Sequence, residues 1–226
     1  MCIRDRLTPT TTVLDLGAGT GQLALMAAPF VASVLSVDPE PDMVSVGHKA
    51  TSEFPNVRWE LGADSDVVEL VDEPIDLVLI GNAFHHMDRA ALLVDLDQVV
   101  AQSGAVVVCS TSKPVWLQDT AWSVALRHQL SEELGREVGA EGTPRHSSDA
   151  VLLGASEFSE VDRWESHVDG HRSIESIVGE VVSSASGALD EAAIARISAS
   201  LEPYSSDWVV DEQVESVALV ARRPNR

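Results

Sequence analysis

The run Thr12-Val13-Leu14-Asp15-Leu16-Gly17-Ala18-Gly19-Thr20-Gly21-Gln22 constrains the fold of this chain more than any other stretch. Its first five residues read as a short apolar strand, its three alternating glycines as a turn, and Gln22 to Phe30 as a segment of helical period. A strand that passes straight into a helix leaves its sheet by a crossover, and crossovers join parallel neighbours. The chain therefore starts as an open α/β layer structure, in which ligands bind outside the carboxyl ends of the strands.

The same alternation continues downstream. A strand over Val34 to Val37 ends in Asp38, a helix is predicted over Pro41 to Glu53, and a short strand around Val57 to Leu61. Ile75 to Ile80 is apolar at every position but Asp76, so it is placed in the middle of a covered parallel sheet. Asp88 is placed as an N-cap for a helix that Ser103-Gly104 stops, and Ala105 to Ser110 follows as another buried strand. Beyond residue 110 the pattern predicts a helix at Asp119 to Arg136, a polar loop from Gly139 to Ser148 and a strand-like stretch at Phe158 to Val168. Helices near Ile174 to Ser184 and Asp190 to Leu201 precede a last strand at Glu215 to Ala221, as a helical insertion near the C-terminus. The chain is read as one domain over 7–226, with 7–110 as its cofactor-binding half and 111–226 as its acceptor-side half with helical cover.

Composition narrows the partners. A formal charge of -21 repels phosphate backbones and anionic lipid, so neither nucleic acid nor a membrane surface is expected as a partner. Lysine occurs only at Lys49 and Lys113, a pattern shared by proteins of high-salt organisms and by products of GC-rich genomes. With no apolar run of membrane-spanning length and no leader before the first strand, a cytoplasmic protein is expected, monomer or homodimer. The opening MCIRDR is what in-frame translation of a sequencing-library adaptor gives, so residues 1–6 are set aside as an artefact and Cys2 with them. Cys109, inside AVVVCS, is then read as a buried thiol in a reduced compartment.

The glycine turn is spaced G-x-G-x-G, and Gln22 stands where a dinucleotide fingerprint needs its third glycine. An acid, Asp15, sits two residues ahead of the first glycine and suits a ligand with an ammonium group. Asp38 lies 21 residues after Gly17 at a strand end, where a carboxylate can accept hydrogen bonds from both ribose hydroxyls. A bare structural turn is the plain alternative for either feature alone.

Taken together, VLDLGAGTGQLA, SVDPEPDMV, LGADSD and IDLVLIGNAFHHMDRAALL resemble the successive motifs of class I S-adenosylmethionine-dependent methyltransferases of the small-molecule type 11 kind. The resemblance covers residues 12 to 110 well and the remainder in outline. It implies a doubly wound, mostly parallel seven-stranded sheet, a Rossmann-like methyltransferase fold, with S-adenosylmethionine as cofactor. It also implies that Gly17, Ala18, Gly19 and Gly21 wrap the methionine part with Asp15 near its amino end, and that Asp38 holds the ribose. Pro39 and Met43 would line the adenine, Asp64 would take its amino group with Ala63 in backbone contact, and Asn82 would face the methionine moiety through its backbone. One departure is Gln102-Ser103-Gly104-Ala105, where many relatives carry Pro-Gly-Gly.

His85 and His86 follow the fourth strand. The other histidines are scattered without metal-ligand spacing, and adjacent residues leaving a strand point to opposite sides, so no metal is expected. A hydroxyl acceptor needs its proton removed, which makes His85 the first and His86 the second candidate for general base, with a pocket wall or a helix cap as the structural alternatives. Asn82-Ala83-Phe84 replaces the Asn/Asp-Pro-Pro-Tyr/Phe segment of amino-methylating relatives, which favours a small organic acceptor, methylated at oxygen or carbon. Trp116, Trp122, Trp164 and Trp208 fall in the second half, each as core or as a roof for that acceptor. Two other readings stay open: a non-catalytic protein that binds S-adenosylmethionine, and an NAD-type oxidoreductase, which Gln22 and the single tyrosine, Tyr204, oppose.

Overall fold

The computed structural model describes residues 7–111, 113–139, 145–185 and 187–224; the adaptor-like residues 1–6 lie outside them. In chain order come β1 (Thr12–Leu16), α1 (Gln22–Ala27), β2 (Ser33–Asp38), α2 (Pro41–Ala50), β3 (Val57–Leu61), α3 (Val67–Leu70), β4 (Ile75–Gly81), α4 (Arg89–Val99) and β5 (Val100–Thr111). Then follow α5 (Ala121–Leu134), α6 (Arg145–Gly154), β6 (Glu160–Ser173), α7 (Ile174–Ser184), α8 (Glu191–Leu201) and β7 (Val209–Arg222). Single 3-10 turns at Asp64–Asp66 and Phe84–His86 precede α3 and α4.

The seven strands form one sheet in the order β3-β2-β1-β4-β5-β7-β6, parallel from β3 through β5. Strand alternation explains why its central members are apolar almost throughout. Leu14, Leu16, Val78, Ile80, Val106 and Val108 enter one core cluster, while Val13, Leu77, Leu79 and Val107 enter another. Both faces of these strands are therefore buried. The chain order reverses between β1 and β4, which places the carboxyl ends of β1, β2 and β4 around a switch point.

The chain divides into two compact units: Met1–Ser110 with Pro144–Trp164 and Val217–Arg226, and Thr111–Thr143 with Glu165–Ser216. The second has its own core, built at helical spacing from Trp122, Leu126 and Leu130 on α5, Ile174, Ile177 and Val181 on α7, and Ile197 and Leu201 on α8. Of the four tryptophans of the second half, Trp122 is core and Trp116 packs at its edge, whereas Trp164 and Trp208 are exposed.

Several boundaries differ from the sequence reading. Helix α4 stops at Val99, not at Ser103-Gly104, because Val100 is already extended and paired with Ile75 on β4. The next pair joins Leu77 to Ala105, so β5 advances five residues while β4 advances two, and Gly104 fits against Val100 and the Ala101 and Ile75 carbonyls where a side chain would collide. Helix α2 ends at Ala50 because the Thr51 hydroxyl turns back to the Gly47 carbonyl, 2.9 Å away. The polar loop expected at Gly139 to Ser148 gives way to α6 from Arg145, α3 was not anticipated, and β7 starts at Val209, six residues before Glu215.

Candidate functional site

Everything the sequence singled out as cofactor-binding lies in the first unit, at the carboxyl ends of β1 and β2, on the loops that follow β1, β2, β3 and β4, and on the first turn of α2. The glycine turn is left-handed at each glycine, with φ of 67° at Gly17, 56° at Gly19 and 85° at Gly21. Two of the three are also crowded. A Cβ on Gly17 would stand 2.5 Å from that of Ala83, and one on Gly21 would stand 2.8 Å from the Trp59 ring. Gly19 is the exception, for nothing lies within 4 Å of where its Cβ would be. That is the open side of the turn, where another molecule can approach the backbone.

Asp38 holds this turn in place. It is 6% exposed, accepts the Gly19 N–H at 2.8 Å on one oxygen and takes the Glu40 N–H at 3.0 Å on the other. Behind it, the Gly17 and Ala18 N–H groups both donate to the Val37 carbonyl, at 2.9 and 3.0 Å. The loops after β1 and β2 are thus fastened to each other before any ligand arrives.

Asp15 lies beneath the turn. Its side chain is 1% exposed; one oxygen accepts the Ala24 N–H of α1 at 3.0 Å, and the other is buried with no hydrogen-bond partner among the described residues. Burial pushes its pKa up to about 7 against the opposing Ala24 hydrogen bond, and the charge of Asp38 adds to the rise. Burial, helped by the charge of Asp15, likewise pushes the Cys109 thiol up to about 11. A buried carboxylate oxygen without a donor is costly to maintain unless the proton or a cation meets it. It therefore fits the ammonium end of an amino acid-like ligand, and the space over Gly19 fits that ligand's body.

The remaining predicted residues surround this centre. Pro39 and Met43 are exposed, on the loop after β2 and the first turn of α2. The Ala63 N–H donates to Asp66 at 2.9 Å, and Asp64 accepts the Asp88 N–H at 2.9 Å, which ties the loop after β3 to the start of α4. Asn82 adopts a left-handed φ of 52°, and its N–H is taken by the Cys109 carbonyl at 2.8 Å. Any backbone contact Asn82 makes to a ligand therefore falls to its carbonyl.

His85 and His86 sit on the 3-10 turn Phe84–His86, not on an extended strand exit, so their rings do not point to opposite sides. The centroids are 3.9 Å apart with planes tilted by 42°. His85 is half-buried and His86 exposed, while Phe84 is core. Among the described residues no group of three or more histidine, cysteine, aspartate or glutamate side chains could hold a metal ion. Trp59 escaped the sequence reading: its ring fills the space over Gly21 and Gly47, and its indole N–H donates to Thr51 at 2.9 Å. A glycine in the middle of the helical segment Pro41 to Ala50 was the available signal for that large neighbour.

Residues 13–104 match the family model for a methyltransferase domain. Over these residues the chain is similar to a methyltransferase domain. An uncharacterised methyltransferase of Mycobacterium tuberculosis is 30% identical over 132 residues, which cover 58% of this chain and 48% of that protein. The chain thus spans about half the length of the curated relatives it matches. Among solved structures, the YcgJ protein of Bacillus subtilis superimposes with a TM-score of 0.60 at 18% identity, covering 97% of this chain and 95% of the other. A geranyl diphosphate methyltransferase solved with S-adenosylmethionine superimposes with a TM-score of 0.51 at 14% identity, covering 98% and 83%. At such identities these structures share the fold, and the domain's chemistry rests on its own residues.

Proposed function

We propose that this protein transfers a methyl group from S-adenosylmethionine to oxygen or carbon of a small organic acceptor. The observation that carries the reading is the buried, unpartnered Asp15 oxygen beneath a glycine turn that is open at Gly19 and fastened by Asp38. In this reading Asp15 meets the cofactor's amino end, and the backbone of Gly17, Ala18, Gly19 and Gly21 lies along its methionine part. Asp38 keeps one lone pair on each oxygen for the ribose hydroxyls beyond its two backbone bonds. Pro39 and Met43 line the adenine, with Ala63 and Asp64 at its edge and the Asn82 carbonyl toward the methionine.

The bound cofactor supplies an electrophilic methyl carbon. What the protein adds is position, because holding an acceptor atom about 3 Å from that carbon in line with the breaking bond supplies much of the rate. His85, half-buried beside the loop after β4, is assigned the acceptor proton, and His86 is the ring that sets its orientation. The charge of -21 disfavours polyanionic acceptors, which leaves a small molecule.

Calorimetric titration with S-adenosylmethionine, S-adenosylhomocysteine and NAD tests the cofactor. Binding of the first two and not the third, weakened at least ~10-fold by Asp38→Ala through loss of its charge-assisted hydrogen bonds, is the expected result. NAD binding in their place would overturn it. Tight S-adenosylmethionine binding without turnover across a panel of phenols, hydroxy acids and prenyl compounds would instead mark a non-catalytic binder. Once an acceptor is found, His85→Ala should lower kcat by about 100-fold or more with little change in KM if the ring takes the proton. A rise in KM alone would reduce His85 to a wall.

A further inference from the structure

Strand β6 closes one end of the sheet, with β7 as its only strand neighbour among the described residues. Along Glu160–Ser173 nearly every residue is exposed on both faces, and the outer edge pairs with no other strand among the described residues. Such an edge is a template for another strand unless its side chains forbid the approach. On β6 they select one approach.

Two copies of β6 related by a twofold axis normal to the sheet would run antiparallel. Cross-strand partners then share a face, and the axis keeps each residue on its own face, so partners must be an even number of positions apart. With Ser166 on the axis, Arg163 falls opposite Asp169, Glu165 opposite His167, and Trp164 opposite Val168. One face carries two Arg–Asp ion pairs and two Glu–His pairs, in which an imidazole N–H can donate to the carboxylate, and the other carries the two apolar pairs. The neighbouring registers are penalised. Placing residue 165 on the axis sets Glu165 against its own copy, while placing residue 167 there sets Glu165 against Asp169 and His167 against its copy.

The alternation that this argument needs is present in the structure. On the β7 side, His167, Asp169 and His171 reach Glu215, Gln213 and Asp211 at 3.7, 3.1 and 2.9 Å, in steps of two along both strands. A residue of an inner strand is flanked on both sides, so these contacts leave the outer side of the same face available to a partner. We infer that β6 is a homodimer interface, pairing antiparallel with β6 of a second copy about Ser166 and so joining the two sheets edge to edge. The surface is isologous, and closes at two copies.

Sedimentation velocity of the full chain tests this at about 0.15 M salt, where a Debye length of about 8 Å limits the long-range repulsion between two acidic copies. A reversible, concentration-dependent dimer is expected. Arg163→Glu and Asp169→Arg each make two symmetry-related pairs repulsive, and each should weaken the dimer roughly 10-fold. The double variant Arg163→Glu/Asp169→Arg should restore it. The two positions are too far apart along one strand to pair within a chain, so rescue reports contact between chains. Circular dichroism of each variant checks that the fold survives. A chain that stays monomeric at high concentration overturns the inference, and so does a dimer indifferent to the single reversals or not rescued by the pair. None of these outcomes depends on the cofactor.

Discussion

At Asp15 burial and ionisation are in conflict, and the pH dependence of the protein should show it. The carboxyl's ordinary value of 3.8 is raised to about 7 in the folded chain. Below the lower value both folded and unfolded chains hold the proton, and the folded state carries no penalty from this group. Between the two values the unfolded chain ionises and the folded one does not, so this group's stabilising contribution is lost as pH rises through about 7, on the order of 4 kcal/mol in all. Asp15→Asn keeps an oxygen for the Ala24 N–H and does not titrate. Denaturant melts should find the variant's advantage over the parent widening from about pH 5 to about pH 8, and a gap that narrows would contradict the buried-carboxyl account. The same residue couples to the proposed cofactor, because an ammonium group favours the ionised carboxyl. Binding near pH 6 should therefore release protons, visible as calorimetric heats that vary with buffer ionisation enthalpy, and Asp15→Asn should abolish that variation.

Helix α2 shows how one element is fixed by a neighbour far along the chain. Replacing a glycine within a helix by alanine ordinarily adds up to about 1 kcal/mol of stability. At Gly47 the sign should reverse, because the new Cβ would enter the Trp59 ring on β3, which is held by its own bond to Thr51. Overpacking of that kind costs about 1–3 kcal/mol. Gly47→Ala should lower the melting temperature by roughly 2–8 °C, and adding Trp59→Leu should recover part of the loss. A raised melting temperature would mean that the ring moves aside freely. The same contrast between local and distant causes explains what was legible in the sequence. The central strands could be read because both of their faces are buried, leaving continuous apolar runs such as LVLI on β4. The ends of β6 could not, since its exposed residues carry no hydrophobic period, and at the start of β7 one of the buried alternate positions is Glu212, whose partners Gln118 and Arg172 are brought to it only by the fold. Helix α6 begins in the polar run RHSSD, which reads as a loop until α4 supplies its partner in Arg89, 2.9 Å from Asp149. In the site, the glycine spacing and the two acids were visible because the turn geometry demands those residue types. The unpartnered oxygen of Asp15, the bond from Gly19 to Asp38 and the close, tilted contact of the two histidine rings are structural facts that no spacing encodes.

For the whole molecule, the decisive quantity is the excess of 36 acidic residues over 15 basic ones. Its arginines are used locally: Arg223 grips Asp97 at 2.6 Å, Arg196 grips Glu133 at 2.6 Å, and Arg172 bridges Glu180 and Glu212 at 2.8 and 3.2 Å. Added salt weakens such attractions and the general repulsion together, so the sign of the net effect depends on which is larger. Exposed pairs contribute only about 0–1 kcal/mol each, and those held partly out of water are screened least. The repulsion among the surplus carboxylates is long-ranged and is screened most, as the Debye length falls from about 30 Å at 0.01 M to about 3 Å at 1 M. Stability should therefore rise with sodium chloride, steeply at first and then level off once the Debye length drops below the spacing between surface charges. Thermal melts across that range at fixed pH check this. A melting temperature that falls with salt would show that the arginine pairs outweigh the surplus charge, and would remove the reason to read the acidic surface as an adaptation to salt.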